Sequence, residues 1–248
     1  MENKLNIVLE KAFGYKSFRK GQEEIVKSIL DKKNTLGVMP TGGGKSICYQ
    51  IPAIIKKGTT IVISPLISLM KDQVNELNSS GISATTINSS MGNKEISDEL
   101  RKIRDNKIKL LYVSPERLLL DSFIELANSI IVPFLIIDEA HCISQWGHDF
   151  RKSYLDINTF IEKMEKKPII GAFTATATEK VMEDIKNTFN ISDDNTFKEN
   201  IDRENLYISV EKDVKKEDYL IDYLKENKGK SGIIYIGSRK EADKLYEK

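Results

Sequence analysis

Thr41-Gly42-Gly43-Gly44-Lys45-Ser46 is the first stretch of the chain whose residue types and order could do chemistry. Glycines let backbone N–H groups close around phosphate oxygens, and a helix N-terminus adds the positive end of its dipole. In such a loop the lysine reaches the β- and γ-phosphates of a nucleoside triphosphate. The hydroxyl after it ligates Mg²⁺, so these roles fall to Lys45 and Ser46. The strict GxxxxGK(S/T) pattern is not met, because Met39 stands where its first glycine would be. The flanks still fit a phosphate loop: segment 35–39 is apolar and strand-like, and 45–55 has helical periodicity.

A second group closes another apolar run. Phe134-Leu135-Ile136-Ile137 ends in Asp138-Glu139-Ala140-His141. A buried strand that delivers an acid at its carboxyl end positions a carboxylate toward a metal. Asp138 is expected to hold Mg²⁺, mostly through water, and Glu139 to orient and deprotonate an attacking water. His141 lies just past that base, where it could touch the nucleotide or relay to a second site. A lone histidine is otherwise a polar packing residue.

These two groups need a scaffold that brings residue 45 beside residue 138. Strand-like runs at 35–39, 60–64, 84–87, 109–114, 134–138 and 169–174 alternate with helix-period segments. The helical segments are 45–55, 68–78, 94–105, 117–128, 154–165 and 179–189. Continuously apolar strands alternating with helices imply an α/β fold, a parallel sheet with helices on both faces. Ligands of such sheets bind at the carboxyl ends of the strands, where both groups fall. Residues 192–205 are polar and read as a linker. A strand at 206–210, a helix at 214–225, a strand at 232–237 and the start of a further helix then read as the truncated start of a second α/β domain. The expected division is 1–198 for the first domain and 199–248 for the linker and incomplete second one.

Composition narrows the partners. With 38 Lys+Arg against 37 Asp+Glu, the net charge of +1 excludes nucleic-acid binding through a wholly basic surface and leaves a local groove. Cys48 and Cys142 form no CxxC and no zinc spacing. They read as packed thiols of a reducing compartment. No signal peptide and no membrane-length apolar run is visible, so the expectation is a soluble cytoplasmic protein without membrane contact.

Further segments narrow the family. FGYKSFRKGQ (13–22) resembles the adenine-recognising motif of the RecQ helicases, and ISPLISLMKDQV (63–74) resembles their motif Ia. YVSPERL (112–118) resembles the motif after that. CISQWGHDFR (142–151) resembles their aromatic-rich loop, which directly follows the DEAH residues. FTATAT (173–178) resembles motif III and IYIGSR (234–239) motif IV. By these ordered segments the chain is identified as a member of the RecQ family of ATP-dependent DNA helicases, a superfamily-two motor. Lys20 and Lys152 depart from the family, which often has proline there; both are turn positions without a required functional group.

The resemblance implies two RecA-like lobes, hydrolysis of ATP with Mg²⁺, and 3′-to-5′ translocation on single-stranded DNA, with roles in DNA repair and recombination. Single-stranded and partly duplex DNA are the expected partners. It implies that Tyr15, Arg19 and Gln22 form the adenine pocket, the ring and guanidinium sandwiching the purine and the carboxamide pairing with its N6/N7 edge. Thr41, Gly42, Gly43 and Gly44 join Lys45 and Ser46 around the phosphates. Trp146, Phe150 and Arg151 are expected in a DNA-sensing loop, with bases stacking on the rings and the guanidinium pairing a phosphate. Gln145 and His141 are expected to pass that signal to the acidic motif. Ser64, Leu66, Ser114 and Thr176, at strand ends, are expected to hold DNA phosphates; for the two serines ordinary helix capping is the alternative.

The second lobe's arginine-bearing motif, the zinc-binding segment and the winged-helix domain of the family have no counterpart in these residues. The expectation is a chain that binds ATP, hydrolyses it poorly and does not unwind duplex. Two other readings remain open: a nucleotide-gated DNA-binding module without productive hydrolysis, and an RNA-remodelling helicase with the same ATP chemistry. The aromatic-rich loop and the 13–22 segment argue against the latter.

Overall fold

The apolar runs become strands of one parallel sheet because each supplies side chains to both of its faces. In chain order the elements of the sheet unit are α1 Glu2–Phe13, α2 Gln22–Leu30, β1 Thr35–Val38, α3 Lys45–Ile55, β2 Thr60–Ile63, α4 Ile67–Ser79 and β3 Ala84–Ile87. They continue with α5 Asn93–Arg104, β4 Leu110–Val113, α6 Asp121–Ser129, β5 Phe134–Ile137, α7 Asp156–Lys163, β6 Ile169–Thr174, α8 Glu179–Phe189 and β7 Thr196–Lys198. The strand order is β3-β4-β2-β5-β6-β1-β7, with every neighbour parallel. This computed structural model describes residues 2–88, 91–199 and 206–247, in two units, Met1–Ile201 and Asp202–Lys248.

Neighbouring residues of a strand point to opposite faces. Ile61, Ile63, Leu135 and Ile137 accordingly join the core under α5 to α8, while Val62, Phe134 and Ile136 join the core under α2 to α4. The helices answer with apolar residues three or four apart, as in Met70, Val74 and Leu77 of α4. α1 forms an outer layer: Leu5 and Leu9, one turn apart, bury against Val26 of α2 and Ile51 of α3. Burial of that kind contributes roughly 1.5–3 kcal/mol per side chain.

The structure departs from the sequence reading at three places. α1 and α2 precede the first strand, outside the strand–helix alternation from which the other elements were read. The stretch 192–205, read as a linker, instead carries a 3₁₀ turn at Asp193–Asn195 and the strand β7. Leu36, Gly37 and Val38 pair with Thr196, Phe197 and Lys198, so β7 owes its order to the open edge of β1 and not to an apolar pattern of its own. Residues 200–205 of that expected linker lie outside the described residues.

In the second unit the expected helix forms as α9 Lys216–Glu226, and α10 Arg239–Tyr246 follows, capped by Ser238 Oγ accepting from Glu241 N. The expected strands at 206–210 and 232–237 do not form. A strand exists through its ladder, and among the described residues of this unit neither segment has a ladder partner. No helix among the described residues is long and apolar enough to cross a membrane.

β1 must lie close to β6 to place the loop that follows it. A Cβ on Gly37 would stand 2.9 Å from the Phe173 ring. Gly37→Ala is expected to destabilise the sheet unit by about 1–3 kcal/mol through overpacking. The measurement is urea unfolding, with a lower midpoint at an unchanged slope; an unchanged midpoint would show that the ring yields freely.

Candidate active site

The turn after β1 is built around backbone that only glycine adopts readily. Gly42 and Gly44 both have φ of 79°, and a Cβ on Gly44 would stand 2.4 Å from Gln22 Nε2. α3 starts directly after Gly44 without a side-chain cap and without an acid in its first turn. Its positive end therefore faces the cleft unopposed. Lys45 Nζ donates to Met39 O at 3.3 Å, within the same loop.

A cleft of about 410 Å³ opens at this loop. Lys45, Ser46, Thr41, Gly42 and Gly44 line it, together with Tyr15, Arg19, Gln22, Asp138 and Glu139. The sheet brings them together because β1, β5 and the segment leading into α2 all end at one edge. Gly43 stands behind the lining, its N–H donating to Pro40 O at 2.9 Å. Tyr15 is 53% exposed, open to a flat ligand.

Gln22 has a second role beside the expected one. It is buried, its Oε1 accepts from Arg19 N at 2.8 Å, and its Nε2 donates to Gly43 O and Gly44 O at 3.2 Å each. Both ends of the carboxamide are thus engaged within the chain, bracing the phosphate loop, while the side chain also lines the cleft beside Tyr15 and Arg19. Arg19 Nη1 donates to Gly42 O, which adds a second brace.

The acidic turn after β5 is held from two sides. Asp138 N donates to Ile63 O at 2.9 Å, extending the β2–β5 ladder, and Tyr154 Oη donates to Asp138 O at 2.8 Å. Glu139 takes a left-handed φ of 50°, which turns the chain out of the sheet. Burial, and then the neighbouring Glu139 charge, push the Asp138 carboxyl up to about 6. A hydrogen bond from His141 holds Glu139 below the usual range. The two adjacent acids are therefore driven apart, with Glu139 the readily ionised one.

His141 is buried at the back of this turn. Its Nδ1 lies 2.9 Å from Thr174 Oγ1 and 3.3 Å from Glu139 Oε2. Thr174 Oγ1 donates its proton to Thr176 O at 3.0 Å, so it can only accept from His141. Nδ1–H of the imidazole is therefore directed between Thr174 Oγ1 and Glu139 Oε2.

The loop after His141 is anchored at several points. Ser144 Oγ donates to Asp184 of α8, Arg151 N donates to Cys142 O at 3.0 Å, and His148 stacks on His141 at 4.1 Å. Trp146 is 65% exposed, with Lys180 Nζ 3.3 Å from its ring centroid. Gln145 is exposed, so the group in contact with His141 is His148. Phe150 is half-buried. Arg151 is not open to a phosphate as expected: Nε and Nη2 donate to Asp149 at 3.1 and 2.8 Å, and Nη1 to Pro65 O at 3.1 Å.

Of the strand-end residues, Leu66 and Thr176 are exposed. Ser64 and Ser114 do not suit their expected contact with DNA phosphate. Both are buried at ladder ends, with Ser64 N donating to Val113 O at 3.0 Å, and neither caps a helix with its hydroxyl. The sequence reading passed over Ser17, Ile47, Leu69 and Gln73, which line the cleft, and Thr174, which holds His141. Leu69 and Gln73 lie four apart in the 63–74 segment, a helical spacing that places both on one face.

The DEAD/DEAH box helicase family pattern matches residues 19–185. The chain belongs to this family. It is 48% identical to the ATP-dependent DNA helicase RecQ of Bacillus subtilis over 249 residues, covering 100% of this chain and 42% of that protein. It is 45% identical to the RecQ of Haemophilus influenzae, covering 97% and 39%. The chain thus spans about two-fifths of the length of these curated relatives. A hypothetical ATP-dependent RNA helicase of Sulfolobus tokodaii has the same fold, with a TM-score of 0.63, 22% identity and coverage of 100% and 72%. The DUF1998 helicase MrfA does too, with a TM-score of 0.70, 16% identity and coverage of 99% and 40%.

The raised carboxyl of the acidic turn has a measurable consequence. A carboxyl raised from 3.8 to about 6 in the folded state opposes folding once it must ionise, so the penalty vanishes only well below the ordinary value of 3.8, grows as the pH rises toward 6 and is complete above about pH 7. Asp138→Asn is expected to stabilise the sheet unit at pH 8 by about 1–3 kcal/mol, or roughly 2–10 °C in Tm. The gain should shrink as the pH falls through 6. Calorimetry across pH 4–8 checks it; an equal shift at every pH would assign the effect to packing.

Proposed function

We propose that this chain is the ATP-binding part of a RecQ-type DNA helicase, which moves 3′ to 5′ on single-stranded DNA by hydrolysing ATP. Residues 1–198 form the first RecA-like lobe in this reading, and 199–248 the linker and start of the second. The observation that carries it is the convergence of Lys45, Ser46, Asp138 and Glu139 on one cleft with the 13–22 segment at its side.

The donor set suits Mg²⁺. One hydroxyl and one carboxylate beside a phosphate loop match an ion that keeps several waters and takes phosphate oxygens. A cation there also favours the ionised form of Asp138, which burial alone opposes. Ser46 and Asp138 would hold the ion, and it would supply charge stabilisation to the transferring phosphoryl group.

The protein's own groups do the rest. Lys45 and the amides of the loop hold the β- and γ-phosphates, and Tyr15 and Arg19 flank the base. Glu139, kept ionised by His141, orients a water for in-line attack and accepts its proton. His141 bonds at once to Glu139 and Thr174 and stacks on His148 of the aromatic loop, so a shift of that loop reaches the base directly. Trp146 offers an exposed ring on which a base of single-stranded or partly duplex DNA stacks.

Lys45→Ala is expected to weaken ATP binding at least tenfold. Glu139→Gln should keep binding within about threefold while lowering turnover by about 10²-fold or more. Equilibrium titration and a phosphate-release assay read both; full turnover in either variant would sink the proposed chemistry. Trp146→Ala is expected to weaken single-stranded DNA binding about tenfold, equivalent to the loss of one base stack. As Trp146 is the only tryptophan, quenching of its fluorescence by a DNA strand over an RNA strand of the same sequence tests the choice of partner.

A further inference from the structure

Gln73 lines the nucleotide cleft, yet none of the roles described so far uses it. It sits on α4 one turn after Leu69, another lining residue. Gln50 of α3, itself buried, donates its Nε2 to Gln73 Oε1 at 3.2 Å. With its oxygen turned to Gln50, the end of the Gln73 carboxamide opposite that bond is Nε2, which carries two N–H donors. Two N–H donors suit an anion.

The topology places that donor. α4 leaves β2, which neighbours β5 and its Asp138; Tyr15 and Arg19 belong to the segment leading into α2, which packs beside β1. The strand β6 separates β5 from β1. Gln73 thus enters the cleft from the side of the acidic turn, opposite the aromatic ring and guanidinium expected to hold the base. A nucleotide with its base at Tyr15 and its phosphates at Lys45 points its last phosphate toward α4.

We infer that Gln73, held in place by Gln50, donates a hydrogen bond to the terminal phosphate of the bound nucleoside triphosphate and so distinguishes triphosphate from diphosphate. This rests on the ATP-site reading above. It also explains a carboxamide at that position: a carboxylate there would add a third negative charge beside Asp138 and Glu139 and repel the phosphate.

The test is the affinity for Mg-ATP and Mg-ADP by titration calorimetry, in a Glu139→Gln background that prevents turnover. Gln73→Ala and Gln73→Glu are each expected to weaken ATP about tenfold, the loss of one hydrogen bond to a charged group. ADP should change by less than about twofold. Gln50→Leu should move the ATP affinity in the same direction by less. A general disturbance of the cleft would weaken both nucleotides alike. Parallel losses for ATP and ADP, or no loss for either in variants with the parent's melting temperature, overturn the inference. Lys45→Ala is the separate control: if it leaves ATP affinity intact, the ATP-site reading itself fails and the inference falls with it. If Lys45→Ala abolishes binding and the Gln73 variants do not alter the ATP-to-ADP ratio, only the inference fails.

Discussion

A parallel sheet ends all its strands on one edge, and the working parts of this chain depend on that constraint. The phosphate loop follows β1, the acidic turn follows β5, and Thr174 ends β6 between them. None of these groups is near another in sequence. The ladder makes them neighbours, and the two apolar cores, one on each face, hold the ladder in place. The glycine at 37 belongs to the same constraint: it lets β1 and the Phe173 ring share a space that a methyl group would fill.

At that edge the dominant physics is the treatment of two adjacent acids. Asp138 is the more enclosed, so ionisation is opposed by burial and by its neighbour's charge. Glu139 is turned outward by a left-handed backbone and receives the His141 hydrogen bond. One backbone turn therefore yields a carboxylate suited to a cation and another suited to a proton. The raised Asp138 opposes folding where the lowered Glu139 favours it, and a strained acid of that kind is a common feature of sites whose charges are meant for a ligand. His141 belongs equally to the acidic turn, to Thr174 and to the loop beyond, so a movement of any one of them is felt by the other two.

The aromatic loop is more constrained than its polar sequence suggests. Arg151 ties it to Pro65, just ahead of α4, and Ser144 ties it to α8. Lys180 covers one face of the exposed Trp146 ring and so joins the loop to α8. α4 in turn carries Leu69 and Gln73 into the nucleotide cleft. One helix thus runs between the anchored loop and the phosphate end of the site.

The sequence by itself determined the strands from β1 to β6, the helices between them and the identities of the phosphate loop and acidic turn, because each is a local pattern. Apolar runs, helical spacing and a glycine-rich turn are visible within a few residues. β7 was illegible because a three-residue edge strand with one apolar side chain takes its order from β1. The expected strands of the second unit met the local pattern but have no ladder. The tertiary structure alone decided which partners the polar side chains chose. Gln22 turned to the glycine carbonyls and Arg151 to Asp149 and Pro65; Ser64 was buried at a ladder end, and Gln73 was brought to the cleft. A hydrogen bond depends on distances between residues far apart in the chain, and those distances exist only once the sheet has set its strand order.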